Sequence, residues 1–327
     1  MNKSLFLAML MLAGSPAWPQ QPSDATVEAH VAAATRVAGE DLKAMLVLCQ
    51  PAPIARPPQE LVDKGIAAQI ARPAPDPGQA FDNLYFVGGA WASAWALKTS
   101  DGIILLDAMN NEAEAKALID GGMRKLGLDP AQIRYVIVSH GHGDHYGGAP
   151  WLVEKYKSRV VMSELDWKMM ETKLEFSSMH WGPPPKRDIA VNDGDKVTLG
   201  GTSVLLPMTP GHTMGTLSPV FEVTSQGRAH RVLLWGGTAF NFGRDIPRLD
   251  AYIAATRRIA KLAEELKIDV MISNHAGYDG TVAKLAALRK SPSGPNPFVM
   301  GTEAVVRALT AMDECAQAQR DRFLLKP

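Results

Sequence analysis

The chain has 327 residues, with 34 Lys plus Arg matched by 34 Asp plus Glu, eight His and two Cys. That length can bury a large core in one α/β unit, and the zero formal net charge offers no basic field for nucleic acid. No internal repeat stands out.

At the start of the chain, Lys3 precedes an apolar stretch from Leu5 to Ala13, and Ser15-Pro16-Ala17 supplies small residues for cleavage. The stretch is too short to span a bilayer, so residues 1–20 read as a secretory signal peptide, cut after Ala17 or Gln20. The mature protein is then expected to be periplasmic or secreted, with no membrane segment. Residues 21–77 are expected to hold an N-terminal helix to Leu48 and a Pro-rich linker, Pro51 to Pro77, wrapped over the surface. Cys49 and Cys315 are expected to form one disulfide in an exported chain, the alternative being two inert buried thiols.

Strands are expected near Leu84–Phe86, Ser93–Lys98 and Ile103–Leu106, then a helix over Glu112–Leu126 with its apolar positions on one face. The apolar run Tyr135-Val136-Ile137-Val138 empties into Ser139-His140-Gly141-His142-Gly143-Asp144-His145. Four potential metal ligands thus share one Gly-rich turn at a strand end, a pattern suited to a borderline cation such as Zn²⁺. A lone His beside a strand is usually a packed or surface residue; three within one turn are not explained that way. The helix Trp151–Tyr156 and strand Arg159–Met162 follow. The aperiodic, Pro-rich segment Leu174 to Pro185 reads either as a loop over the site, with Phe176 or Trp181 touching substrate, or as a surface loop pinned by its own aromatics. His180 in that segment reads as a surface residue.

In the second half, strands are expected around Lys196–Leu199, Thr202–Met208, Val220–Thr224 and Arg231–Trp235, followed by a helix Leu249–Leu266. Two further strand ends carry a His: Thr209-Pro210-Gly211-His212 and, after Ile268 to Ser273, Asn274-His275-Ala276-Gly277. Three separate strands thus deliver potential ligands to their C-terminal ends.

With these residues in place, the chain resembles the metallo-β-lactamase superfamily, its His-x-His-x-Asp-His signature standing at His140 to His145 and the resemblance running from about Asn83 to Gly280. The resemblance implies an α/β fold, an αβ/βα sandwich of two mixed β-sheets flanked by helices, with residues 78–327 forming the hydrolase domain and its C-terminal helix. It implies two Zn²⁺ per chain, one held by His140, His142 and His212, the other by Asp144, His145 and His275. A hydroxide shared by the metals would be the nucleophile, and of the ligands Asp144 and His142 are expected to be catalytic. Asp107, at the end of Gly102 to Leu106, would orient the ligand turn from behind; otherwise it is an ordinary strand-end turn former.

Within the superfamily, the glyoxalase-type thioesterases and acyl-homoserine lactonases carry a bridging Asp after the strand matching Val232 to Trp235, where this chain reads Gly236-Gly237-Thr238. The first two β-lactamase subclasses place a Cys on the second metal, and neither Cys49 nor Cys315 lies near a motif. The third subclass uses Asp and two His there and often has a Ser at the position of Gly237; Thr238 could supply a hydroxyl in its place. The resemblance therefore implies hydrolysis of β-lactams, with a lactone or other ester as the alternative small-molecule substrate. A secreted zinc-binding protein without catalysis is the alternative of another class. Tyr278 is a further candidate for contacting substrate or an oxyanion.

Overall fold

The computed structural model describes residues 21–325; the expected signal peptide lies outside the described residues. Two mixed sheets form the centre. The first has seven strands in chain order: β1 (Gly78–Phe81), β2 (Leu84–Phe86), β3 (Trp95–Thr99), β4 (Gly102–Leu106), β5 (Ile133–Ile137), β6 (Arg159–Ser163) and β7 (Ile189–Val191). Strands β1 to β4 pair antiparallel and β4 to β7 pair parallel. The second sheet has the order β12-β11-β10-β9-β8, from β8 (Asp195–Leu199), β9 (Thr202–Leu206), β10 (Val220–Ser225), β11 (Arg228–Trp235) and β12 (Val270–Ser273). In this sheet only β11 and β12 pair parallel.

Period-2 alternation sorts the side chains into layers. On β4, Ile104 and Leu106 face inward to meet Val204, Leu206, Phe221, Val232 and Leu234 of the other sheet. Ile103 and Leu105 face outward, onto Ile119, Met123 and Leu152 of the helical layer. Strands buried on both faces must be apolar throughout, which is why β4 reads as a continuous run.

The first helical layer comprises α3 (Glu112–Glu114), a π-helical stretch Ala115–Asp120, α4 (Gly121–Lys125), α5 (Gly143–Tyr146), α6 (Ala149–Tyr156) and α7 (Glu164–Thr172). On the other side lie α1 (Asp24–Ala38), α8 (Ile246–Leu266), α9 (Ala276–Asp279), α10 (Thr281–Lys290) and α11 (Thr302–Leu325). There Leu249, Tyr252 and Ile259 of α8 and Met312 of α11 pack on Leu233, Trp235 and Met271 of the second sheet. The αβ/βα sandwich is thus present. Among the described residues no helix is long and apolar enough to cross a membrane.

Two expectations for the N-terminal segment need correction. The helix does not run to Leu48: α1 stops at Ala38 because Gly39 takes φ 59, and a 3₁₀ segment, Lys43–Cys49, follows. The Pro-rich stretch is not a bare linker either, since it contains α2 (Gln59–Ile70), with Pro58 at its N-cap and Ile66 buried. Proline is tolerated at that boundary because a helix's first amides have no internal partner to lose. Cys49 and Cys315 are joined as a disulfide, fastening the 3₁₀ segment to α11.

Candidate metal centre

The ligand-bearing turns all leave the C-terminal ends of strands. Asp107 follows β4, the His140–His145 turn follows β5, His212 lies in the loop between β9 and β10, and His275 follows β12. Cross-sheet hydrogen bonds draw these ends together: Leu217 N donates to Ser139 O at 2.8 Å, and Ser93 N donates to Asn274 O at 2.8 Å. His140, His142, Asp144, His145 and His212 are all buried.

Their polar atoms converge in two groups, His140 with His142 and His212, and His140 with Asp144 and His145, the ligand atoms within 4.8 Å of one another. His212 Nε2 lies 3.2 Å from His142 Nδ1. His275 joins the second group through its Nε2, which is 3.3 Å from His145 Nε2 and 3.5 Å from Asp144 Oδ2. All six sequence-predicted ligands are therefore brought to one place.

The opposite ring nitrogens show which atoms face inward. His140 Nδ1 is 2.7 Å from Gly236 O, His212 Nδ1 2.7 Å from Ala239 O, His275 Nδ1 3.3 Å from Trp91 O, and His145 Nδ1 2.8 Å from Asp107 Oδ2. Each of these partners accepts a hydrogen bond from Nδ1–H, so that Nε2 is the ring atom aimed into the cluster. His140 Nε2 is buried without any hydrogen-bond partner. An orphaned imidazole lone pair among four other imidazoles and a carboxylate is costly unless a cation takes it, so the donor set fits zinc.

Asp107 is fixed in its own right. Its Oδ1 accepts from Ser139 N at 2.7 Å and its Oδ2 from Ser139 Oγ at 2.9 Å, as well as from His145. It has φ 62, a left-handed backbone that Asp tolerates better than most residues, and it is buried.

Electrostatics divide the ligands. Burial drives the pKa values of His140 and His212 well below the usual imidazole range, and neighbouring imidazoles add to the effect. Burial and the adjacent His145 lower His275 to about 4. Burial opposes charge on His145 too, but the Asp144 and Asp107 carboxylates overcome it and raise its pKa to about 10. Asp144, despite burial, is held well below the carboxylate range by His145 and His275.

Several contributors were not visible from the motifs. Asp166 joins the two ligand loops: its carboxylate accepts from Gly141 N at 2.8 Å, Thr213 Oγ1 at 2.8 Å and Gly215 N at 3.1 Å. Its only sequence signal is Ser163-Glu164-Leu165-Asp166, a helix-start pattern, and Ser163 Oγ indeed caps α7 through Asp166 N. Asn274 Nδ2 donates to Gly236 O at 2.7 Å and to Ser139 Oγ at 3.1 Å, binding the β5, β11 and β12 ends. Glu175 reaches His142 from the Leu174–Pro185 segment, its Oε2 3.5 Å from His142 Nε2.

A cleft of about 650 Å³ opens over His142, Asp144, His212 and His275. Phe176, Trp181 and Tyr278 line it, while Val47, Val62 and Ile66 bring the 3₁₀ segment and α2 over it. Phe176 stands edge-on to His142 with ring centroids 4.7 Å apart, and Trp181 Nε1 donates to Asn110 Oδ1 at 2.9 Å. Thr238 is not placed on this wall. It is buried, with its Oγ1 3.5 Å from Ser273 Oγ and its carbonyl accepting from Tyr252, so the turn after β11 directs its hydroxyl into protein. Gly237 has a steric reason to lack a side chain: a Cβ there would stand 2.6 Å from His212 Cβ.

Two mixed sheets, flanking helices and a buried His/Asp cluster at the strand ends define a metal-dependent hydrolase architecture. The family model of the metallo-beta-lactamase superfamily matches residues 92–275, more than half of the 327-residue chain, and the protein belongs to that superfamily. Among solved structures, BJP-1, a subclass B3 metallo-β-lactamase of Bradyrhizobium japonicum, superposes with a TM-score of 0.62 at 29% identity, covering 72% of this chain and 90% of that one. A Cronobacter sakazakii metallo-β-lactamase has the same fold, with a TM-score of 0.69 at 23% identity over 84% of this chain and 98% of its own. Among curated relatives, a hydroxyacylglutathione hydrolase of Rhodopseudomonas palustris is 30% identical over 54% of this chain, and the match spans 60% of that protein's length. One of the same description from Nitrobacter hamburgensis is 32% identical over 56% of this chain and 71% of its own.

Proposed function

We propose that the protein is an exported dizinc hydrolase that opens the amide ring of β-lactams. His140, His142 and His212 would hold one zinc and Asp144, His145 and His275 the other. The observation that carries the reading is the end of β11: no carboxylate follows Trp235, and instead Gly236 O accepts from His140 and Gly237 packs against His212. The bridging Asp of the thioesterase and lactonase members thus has no counterpart there, and the ligand set that remains is that of the third β-lactamase subclass. The likeness to BJP-1 supports this reading, and the Cys49–Cys315 disulfide is compatible with an oxidising compartment.

Zinc in such a site supplies Lewis acidity and lowers the pKa of water to about 7, making a nucleophile available at neutral pH. The chain's own residues do the rest. Gly236 O, Ala239 O, Trp91 O and Asp107 fix the imidazole orientations. Asp144, kept ionised by the neighbouring His145 and His275, would bring the one carboxylate charge to the second zinc, its Oδ2 facing the Nε2 atoms of both imidazoles. Phe176, Trp181, Val62 and Ile66 exclude bulk water from the cleft and hold the apolar part of the substrate. Burial raises the pKa of Tyr278, which keeps its hydroxyl protonated as a donor to a developing oxyanion.

The second reading is hydrolysis of a lactone or thioester, favoured by the apolar cleft and by the hydroxyacylglutathione hydrolase name of the curated relatives. Steady-state hydrolysis of a carbapenem and a cephalosporin by zinc-loaded protein separates them. Chelator-sensitive ring opening, lost in His142→Ala, is expected. Turnover of lactones or thioesters with both lactams untouched would establish the second reading, and no turnover of any of these would leave a non-catalytic zinc-binding protein.

A further inference from the structure

We propose that Glu175, from the loop between α7 and β7, is the outer partner of His142 and thereby a positioning residue for the metal held by His140, His142 and His212. This inference rests on that ligand assignment. Four of the five cluster imidazoles have their outward nitrogen tied down, His140, His212 and His275 by backbone carbonyls and His145 by Asp107. His142 is presented the other way round. Its Nδ1 faces His212 Nε2 at 3.2 Å, so its Nε2 points out of the cluster, buried and without a hydrogen bond. The nearest charged atom is Glu175 Oε2 at 3.5 Å, just beyond a good hydrogen bond. A swing of the Glu175 carboxylate toward the ring by about half an ångström would complete it.

The carboxylate is held in place for this role. Arg248 on α8 grips it with two bonds, Nη1 to Oε1 at 2.8 Å and Nη2 to Oε2 at 3.2 Å. The same guanidinium donates to Gly211 O at 2.9 Å and to His212 O, so Glu175 is referenced to the backbone of a second ligand of the same metal. Arg56 donates to Glu175 O and lies 3.9 Å over the Phe176 ring, pinning the loop from the N-terminal side. Charge gives the arrangement a purpose. Three neutral imidazoles bring no negative charge to a divalent cation, whereas the other group has Asp144 within it and Asp107 behind it. A carboxylate accepting the Nε2 proton makes the His142 ring a stronger donor and fixes its orientation.

The test is cobalt titration of wild-type protein and of Glu175→Ala, Glu175→Gln and Arg56→Ala, reading visible d–d absorption and chelator-competition affinities for each metal. Glu175→Ala and Glu175→Gln are expected to weaken the first metal by about 10- to 100-fold and alter its absorption, with the second metal unchanged. Arg56→Ala loosens the loop while keeping the carboxylate, and is expected to shift affinity less than about threefold, within the effect of a surface change. Wild-type affinity and spectrum in both Glu175 variants would overturn the inference while leaving the metal assignment intact. So would an equal loss in Arg56→Ala, which would assign the effect to the loop. Wild-type protein that binds no cobalt would overturn the metal assignment, and this inference with it.

Discussion

Among the ligands, protonation separates one residue from the rest. In the metal-free protein His145 has a pKa raised to about 10, because Asp144 and Asp107 outweigh its burial, whereas His275 is lowered to about 4 and Asp144 lies well below the carboxylate range. At neutral pH the second group therefore presents one ionised carboxylate, one neutral imidazole and one imidazolium. A cation binding there must displace one proton, from His145, and a group with a raised pKa yields that proton more readily as pH rises. Affinity at this group is expected to climb about tenfold per pH unit from roughly pH 5 to roughly pH 10, with one proton released per metal at pH 7. Competitive zinc titrations in weak buffer with a proton-release readout measure both quantities. A pH-independent constant would show that His145 is already neutral before metal arrives. The six candidate ligands were legible because four of them share a seven-residue turn and the other two follow apolar runs. Glu175 and Arg248 were not: an acid in an aperiodic loop and an Arg in a helix carry no sequence mark until folding sets them against His142 and His212.

At the scale of elements, the strands were readable because β4 is a buried apolar run and β5 and β11 end in buried apolar residues ahead of turn residues, and the helices α6 and α8 because their apolar positions recur at helical spacing. The N-terminal segment was misread for a physical reason. Prolines 51, 53, 57 and 58 suggest an extended linker, yet the last pair lies just before α2, where a helix accepts proline, and tertiary packing of Ile66 completes it. The disulfide then gains a role beyond stability. It fixes the Lys43–Cys49 segment, whose Ala44 and Val47 line the cleft, to α11 across 266 residues of sequence. The double variant Cys49→Ser, Cys315→Ser is expected to lose about 3 kcal/mol of stability. Its KM should rise several-fold while kcat and bound zinc hold near wild type, since no metal ligand is attached to the released segment. Denaturant unfolding together with kinetics on whichever substrate class is turned over reads both effects. An unchanged KM would mean that the roof over the cleft is held by packing alone.

For the molecule as a whole, each of the two proposed metals would draw its ligands from both sheets. His140 and His142 leave the first sheet and His212 the loops of the second; Asp144 and His145 leave the first and His275 the second. The apolar layer between the sheets holds the two halves face to face, but at the ligand edge that layer gives way to buried polar groups, of which His140 Nε2 is unpartnered. Without a cation this edge combines an orphaned lone pair, crowded imidazoles and buried carboxylates, all of which oppose folding. A metal that binds only the folded protein stabilises it by mass action, about 2.7 kcal/mol for each site held at a free concentration one hundred times its dissociation constant. Two filled sites should therefore raise the unfolding midpoint by roughly 10 °C in a protein of this size. Removing His212 or His275 separately should each abolish about half of that increment, because either substitution leaves one cross-sheet metal in place. Calorimetric scans of zinc-loaded and chelated protein, with His212→Ala and His275→Ala alongside, measure the increments. A single substitution that abolished the whole zinc-dependent rise would show that the two sites fill only together, so that the sheet edge closes as one cooperative unit.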